Sequence, residues 1–394
     1  MQLLLEPWAK VAGLEASRFD RDTAWAAINT LRLDDLRPHV LRTKDGGKSW
    51  QRVVDGLPLG ASANAIREDP VRPGLLYLGT ERAVFVSLDG GDSWAPLRLN
   101  LPNTSVRDLI VKDDDLVIAT HGRGFWIMDD VTPLRHLSRA ALAAPMELVP
   151  PEAALRVRFS TNGDTPMPPD EPVGENPPDG AILDYVLHEG VSELLTLQIR
   201  DDAGRIVRRY RSDDASPPPA DVGEIPRYWI RPAQKLSRGA GLHRFVWDLH
   251  EESPRVAEPT YPMSAIPFDT PAEPRGPWVL PGRYTVELVA GEGPDARTVT
   301  RPLVVNMDPR VKTPISDLRA QHALSRALAD AISRNTTMEA SLPKESSKAV
   351  RDTARRLKQA LAMVQQADLP PTPQLAAAAA AVLAEEAQLE SRAK

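Results

Sequence analysis

The sequence predicts a mainly β chain in three parts: about two and a half blades of a β-propeller, an Ig-like or fibronectin-like β-sandwich, and a C-terminal α-helical hairpin. Three observations predict this. Thr43-Lys44-Asp45-Gly46-Gly47-Lys48-Ser49-Trp50 recurs 44 positions later as Ser87-Leu88-Asp89-Gly90-Gly91-Asp92-Ser93-Trp94. A repeat of about 40–50 residues marks propeller blades. Short alternating segments with turn signals between them continue to Asn306, as antiparallel sheets require. Beyond Pro314 the apolar residues recur at spacings of three and four, the period of helices.

The second motif sits in the best-defined blade, with strands expected at Asn64–Glu68, Leu75–Thr80, Ala83–Leu88 and Trp94–Leu99. The repeated pattern, [ST]-x-D-G-G-x-S-W, has the physics of a tight hairpin. Asp45 and Asp89 accept hydrogen bonds from turn amides, Gly47 and Gly91 take φ > 0 without penalty, and Trp50 and Trp94 bury beside the next blade. These six residues are therefore structural. The preceding blade is expected at Thr23–Asn29, Val40–Thr43 and Trp50–Val54, with an insertion at Leu31–His39. The following one is expected at Val106–Val111, Leu116–Thr120 and Phe125–Asp129, without the motif. Domain bounds follow: blades over 1–137, a Pro-rich connector over 138–180, the sandwich over 181–310 and helices over 311–394. Thr165–Pro178 alone holds six prolines. Sandwich strands are expected at Ile182–Leu187, Leu194–Asp201, Gly204–Tyr210, Gly241–Leu249, Gly282–Val289 and Thr298–Asn306, with an excursion at Ser253–Trp278. Ser316-Asp317 is expected to cap the first helix. Thr372-Pro373 marks the start of the last, with an N-cap followed by Pro at N1.

Composition excludes several function classes. The 394 residues carry a net charge of −6 and no basic run or stripe, which argues against nucleic acid as a partner. Cysteine is absent, so there is no disulfide frame, thiolate nucleophile or Cys-ligated metal. The apolar run at Leu3–Leu5 is broken by Glu6 and follows no basic segment, unlike a signal peptide. Leu375–Ala384 is mostly alanine and too short to span a bilayer. A soluble chain is expected, cytoplasmic if expressed as written.

Four stretches resemble the last blades of large bacterial BNR/Asp-box proteins, the sortilin-like propeller group often labelled glycosyl hydrolases. They are Ile66–Pro70, Gly74–Arg82, Val86–Gly91 and Ala119–Asp130, the last reading Ala-Thr-His-Gly-Arg-Gly-Phe-Trp-Ile-Met-Asp-Asp. Gly241–Leu249 and Leu280–Val286 resemble the sandwich that follows that propeller. The likeness covers most of residues 5–310, and the helical end matches only in kind. It implies an extracellular or periplasmic setting and a protein or glycan ligand. Members carry many more blades, whereas two complete blades and a partial third cannot close a ring. The expected explanation is the C-terminal part of a larger protein, or missing blades supplied by a partner chain.

Loop parity points to a candidate site. Loops after strands one and three of an antiparallel blade share one face, and those after strands two and four share the other. The Asp motifs follow strand three, and the resemblance places ligand pockets on the opposite face. The strand-two loops there supply Arg32, Asp34, Asp35, Arg37, Glu81, Arg82, His121 and Arg123. Arg suits carboxylate or sulfate through its planar fork, so a polar or anionic ligand is expected; ordinary solvated turn residues are the alternative.

Catalytic readings find less support, and no catalytic residue is expected. A glycosidase needs two carboxyl groups about 5–10 Å apart, and Asp34, Asp35 and Glu81 are the available acids. A sialidase-like site needs three arginines on separate blades plus a Tyr/Glu pair, more than these blades hold. The runner-up reading is therefore part of an extracellular glycoside hydrolase whose catalytic residues lie mostly on other blades. No His-x-His or His-x-x-x-His pattern occurs, and Asp113-Asp114-Asp115 lacks the alternation of a calcium loop. No metal or cofactor is expected. The leading expectation is a non-catalytic binding or scaffolding module.

Overall fold

The computed structural model describes residues 6–138, 143–158, 174, 177–215, 225–262, 268–343 and 347–393. Most of the Pro-rich run at 165–178 lies outside them. The chain is mainly β with helices towards its C-terminus. It divides into two compact units, Met1–Ala144 and Pro145–Lys394.

The first unit holds three antiparallel sheets, each a simple meander. The first contains β1 (Lys10–Ala16), β2 (Ala24–Asn29), β3 (His39–Thr43) and β4 (Gln51–Arg52). The second contains β5 (Ala63–Glu68), β6 (Leu76–Thr80), β7 (Val84–Ser87) and β8 (Ala95–Pro96). The third contains β9 (Ser105–Lys112), β10 (Asp115–His121) and β11 (Phe125–Met128). The middle strands read as near-continuous apolar runs because both of their faces are covered. Trp25, Ala27 and Val40 of the first sheet share a core with Ile66, Leu76, Leu78, Phe85 and Trp94 of the second. The other face of β2 and β3, with Ala26, Ile28 and Leu41, packs with Ala9 and Trp50. β1 pairs with β2 from Lys10. β4 and β8 are two-residue edge strands, shorter than expected, and Pro96 ends the ladder of β8.

The second and third sheets meet at Gly79. A Cβ there would lie 2.7 Å from Val106 Cγ1, so only glycine permits this approach. On the far side, the third sheet leaves apolar residues open. Register aligns Ala119–Phe125 with Gly79–Val84. Val84 and Val86 are 0% and 7% exposed, yet Phe125 and Ile127, at the matching positions, are 80% and 59% exposed. After β11, α1 (Thr132–His136) takes the place of an Asp motif. Its Arg135 pairs with the fully buried Asp69 at 3.0 Å and with Asp114. Asp113 adopts φ 55° in the turn between β9 and β10.

In the second unit, β12 (Met146–Leu148), β14 (Ala181–Leu187) and β17 (Gly241–Trp247) form one sheet. β13 (Ala154–Arg156), β19 (Arg297–Met307), β18 (Gly282–Ala290), β15 (Leu195–Asp201) and β16 (Ile206–Arg211) form another, in that order. β12 and β13 fall inside the stretch expected as connector, and β13 runs parallel to β19. Alternate residues of both sheets, among them Leu183, Phe245, Trp247, Leu197, Val286 and Leu288, form one core. Three helices follow: α2 (Ile315–Ser341), α3 (Lys348–Val364) and α4 (Pro373–Ala393). Leu328, Ile332, Leu357, Leu361, Ala379 and Val382 join all three in one cluster. The expected hairpin is thus a three-helix bundle, because α4 buries its Ala379/Val382 stripe against both predecessors. Thr372 Oγ1 accepts the Leu375 amide at 3.2 Å, which is the N-cap its sequence signals. α2 begins one residue before Ser316, after Pro314, with no side-chain cap.

Candidate functional site

Hydrogen bonds sort the loops of the first unit into two faces. On one, the loop after β1 meets the motif after β3 through the Gly46 amide and Asp22 carbonyl. The loop after β5 likewise meets the motif after β7 through Gly90 and Gly74. On the other face, the Gly60 amide donates to Leu36, Glu81 to Ser62, and Thr104 to Arg82. Loops after strands two and four are therefore contiguous across the sheets.

The motif face is structural hardware. The Asp45 carboxylate accepts the Ser49 amide at 2.9 Å and hydroxyl at 2.6 Å, and the Thr43 hydroxyl at 2.8 Å. Those bonds, led by the Ser49 hydroxyl, push its pKa down to about 2. Asp89 repeats the arrangement with Ser87 and Ser93. Gly47 and Gly91 sit at φ 88° and 98° and donate to Thr43 and Ser87. The two tryptophans differ. Trp94 is buried and donates to the Val53 carbonyl of the preceding sheet at 3.0 Å. Trp50 is half-buried and donates to Gly47 within its own loop. Trp94 thus keys into the sheet before it, not the one after it as expected from sequence, whereas Trp50 packs on its own sheet.

On the opposite face, the eight expected residues fall into three groups. Asp35, Arg37 and His39 form a closed knot. Asp35 accepts Arg37 Nε at 2.8 Å and Nη2 at 2.9 Å, and His39 Nε2 at 2.8 Å. Arg37 comes first among the causes that hold this carboxyl far below the usual range. Glu81 is the second centre, joining all three sheets. It receives Asn64 at 3.1 Å, Asn29 at 3.5 Å and Arg107 at 3.0 Å. Asn29 also donates to Asn64 at 2.7 Å, and Asn64 to the Val106 carbonyl at 3.0 Å. Burial pushes the Glu81 carboxyl up, but Ser105, Asn64 and Arg107 together outweigh it and leave the pKa lowered.

The third group is exposed: Arg32, Asp34, Arg82, His121 and Arg123. Among the described residues, no acid partners Arg32, Arg82 or Arg123. The Arg82 guanidinium lies over Gly60, where a Cβ would come within 2.9 Å of its Cζ. Gly60 is bonded in turn to the loop that carries Arg32. Arg123 stands in a turn whose flanking Gly122 and Gly124 both have positive φ. His121 pairs in register with Ser105, beside the Glu81 centre.

Asp35 and Glu81 are ionised and held by cations, so neither offers a proton to a leaving group, while Asp34 stands exposed. The unpaired arginines can grip an anion. Sequence reasoning missed Asn29, Asn64 and Arg107. Its available signal was an asparagine ending Ala26-Ala27-Ile28-Asn29 and another interrupting Ala63-Asn64-Ala65-Ile66, polar side chains in strands otherwise buried. Among the described residues, no group of three or more acidic or histidine side chains is placed to hold a metal ion. No helix there is long and apolar enough to cross a membrane.

No family model and no curated protein matches the chain. Solved structures with partial likeness include YCF48 bound to D1 peptide (15% identity, TM-score 0.24), covering 50% of this chain and 52% of that one. The extracellular domain of the putative one component system BT4673 from B. thetaiotaomicron has 9% identity and TM-score 0.24. There the overlap covers 77% of this chain and 31% of that one. An ancestral GH74 enzyme has 14% identity and TM-score 0.21, over 53% and 28%. This chain therefore spans about half the length of the first of these and about a third of the second.

Proposed function

We propose that the first unit is a run of Asp-box β-propeller blades, part of a larger propeller, and that it binds an anionic protein or glycan without turning it over. The carrying observation is the contrast on the face opposite the motifs. Asp35 and Glu81 are tied up by bonds from neighbours, while Arg32, Arg82 and Arg123 project into solvent with no acid partner among the described residues. Such a surface attracts carboxylate or sulfate, and its two engaged acids, Asp35 and Glu81, hold no proton for glycoside cleavage. Meander sheets stacked face to face, two of them with an Asp-Gly-Gly turn after the third strand, support the propeller reading. The open Phe125/Ile127 face supports a further sheet stacking beyond β11, as the third sheet covers Val84 and Val86. For the second unit, the Tyr284 hydroxyl bonded to the Leu280 carbonyl at 2.6 Å favours an Ig-like sandwich, where such a tyrosine turn recurs. An extracellular or periplasmic setting goes with this reading.

The test is biosensor binding of heparin and of a poly-glutamate peptide to the full chain. Replacing Arg32, Arg82 and Arg123 by alanine should weaken binding at least tenfold. Unchanged affinity for whichever probe binds would sink the proposal, and turnover of a glycan substrate lost in Glu81→Gln would favour the hydrolase instead.

A further inference from the structure

The second unit has an open cleft of about 260 Å³ between the β15–β16 turn, the start of β18 and the first turns of α2. Its charge is lopsided. Arg205, Arg283, Arg319 and Arg326 line it together with His322, against Asp201, Asp202 and Glu251. The acids at its base are already engaged. Glu251, 6% exposed, accepts Arg205 Nη2 at 2.8 Å and His322 Nε2 at 2.9 Å. Asp201 accepts Arg205 Nε at 3.0 Å. Arg326 reaches Glu251 only at 3.4 Å. Arg283 and Arg319 are exposed at the mouth and have no acid partner among the described residues.

We propose that this cleft binds a small organic anion, its carboxylate or phosphate gripped by Arg283, Arg319 and Arg326. Four guanidinium groups crowded around one small space repel one another. Leaving His322 aside, the four guanidinium groups exceed the three carboxylates, Asp202 included, by one charge; Glu251 pairs with both Arg205 and Arg326, and Arg283 and Arg319 carry the surplus. An oxyanion placed among them receives charge-assisted hydrogen bonds from planar forks, the geometry in which Arg binds carboxylate or phosphate best. Ile315, the first residue of the 27-residue α2, also lines the cleft. That helix lacks a side-chain cap, and the Asp317 carboxylate in its first turn offsets part of its positive end. The volume lies just under the range of drug-sized pockets, which selects a ligand the size of a sugar acid or a tricarboxylate. Leu280, Pro281 and Ile315 supply an apolar wall for its carbon skeleton.

The site shares no residue with the anion-binding face of the first unit, so the two proposals stand or fall separately. Calorimetric titration of the full chain with citrate and with inorganic phosphate tests it. One-site binding of either probe is expected, with citrate favoured if the native group is a carboxylate and phosphate if it is a phosphoryl group. Arg283→Ala and Arg319→Ala should each weaken it about tenfold or more, with circular dichroism unchanged because both side chains are exposed. Arg82→Ala/Arg123→Ala should bind as the wild type does. The proposal is overturned if neither probe binds at millimolar concentration. It also fails if the Arg283→Ala/Arg319→Ala double variant binds normally, or if the effect appears only in the Arg82/Arg123 variant.

Discussion

Trp50 and Trp94 occupy the same place in the same motif, and the structure expects very different costs for removing them. Trp94 is 5% exposed, lies in the core shared by the first two sheets and bonds the Val53 carbonyl across them. Truncating a buried tryptophan costs about 3–5 kcal/mol. Trp50 is half-buried, packs on Ala26, Ile28 and Leu41 of its own sheet, and bonds within its own loop. Less deeply buried and with no bond to a second sheet, Trp50→Ala should cost roughly 1.5–2 kcal/mol. The gap of about 2 kcal/mol is roughly a 30-fold difference in the unfolding equilibrium. Pulse proteolysis of the full chain across a urea series, with fragments assigned by mass spectrometry, measures the first unit separately from the second. Equal losses for the two variants, or a larger one for Trp50→Ala, would refute the reasoning. The tryptophan would then act within its hairpin rather than as a key between sheets.

Other expectations follow from single contacts. Gly79→Ala forces a methyl to within 2.7 Å of Val106 Cγ1 and should cost about 1–3 kcal/mol by overpacking, seen in the same urea series. Asp368→Ala leaves the buried Arg156 guanidinium and its neighbour Arg158 without their carboxylate, and should destabilise the second unit by about 3–5 kcal/mol. Burial raises the Glu251 pKa, but His322 and Arg205 prevail and bring it from 4.5 down to about 2. Its stabilising contribution, about 3 kcal/mol, is therefore complete above pH 4.5 and lost as pH falls towards 2. An acid titration of Glu251→Gln should lack that loss, and an identical profile to wild type would contradict the assignment.

The fold was legible where local chemistry dictates it. The Asp-Gly-Gly turns require glycine at φ near +90° and an acceptor two residues after a hydroxyl, so the hairpins after β3 and β7 could be read from eight residues each. Thr372-Pro373 could be read for the same reason. β12 and β13 could not: each spans only three residues, β12 between Pro145 and Pro150, and β13 pairs with Val305–Met307, some 150 positions away. The direction in which the motif tryptophan packs was equally hidden, because it depends on how successive sheets lean, which no single repeat contains. The three-helix bundle was half visible. The stripe on α4 announced burial, but not that two helices would share it.

The site divides along the same line. Counting strands in an antiparallel meander is enough to separate the two loop faces, and Asp35-x-Arg37-x-His39 has the spacing of a local ion-pair knot. What sequence could not separate was one arginine from another. Arg82 is adjacent to Glu81 in sequence, whereas Arg107 is 26 residues away and went unnoticed. In the structure Arg107 reaches Glu81 across a sheet boundary at 3.0 Å, while Arg82, the adjacent residue, turns away over Gly60. A buried carboxylate needs its charge answered once, and Arg107 with two asparagine amides does so. That engagement leaves Arg82 available to an outside anion. Arg107→Ala should therefore weaken anion binding as well as stability, by freeing Glu81 to recruit Arg82. If binding at the arginine face is unchanged in Arg107→Ala, the competition between the two arginines is not real, and the availability of Arg82 must have another cause.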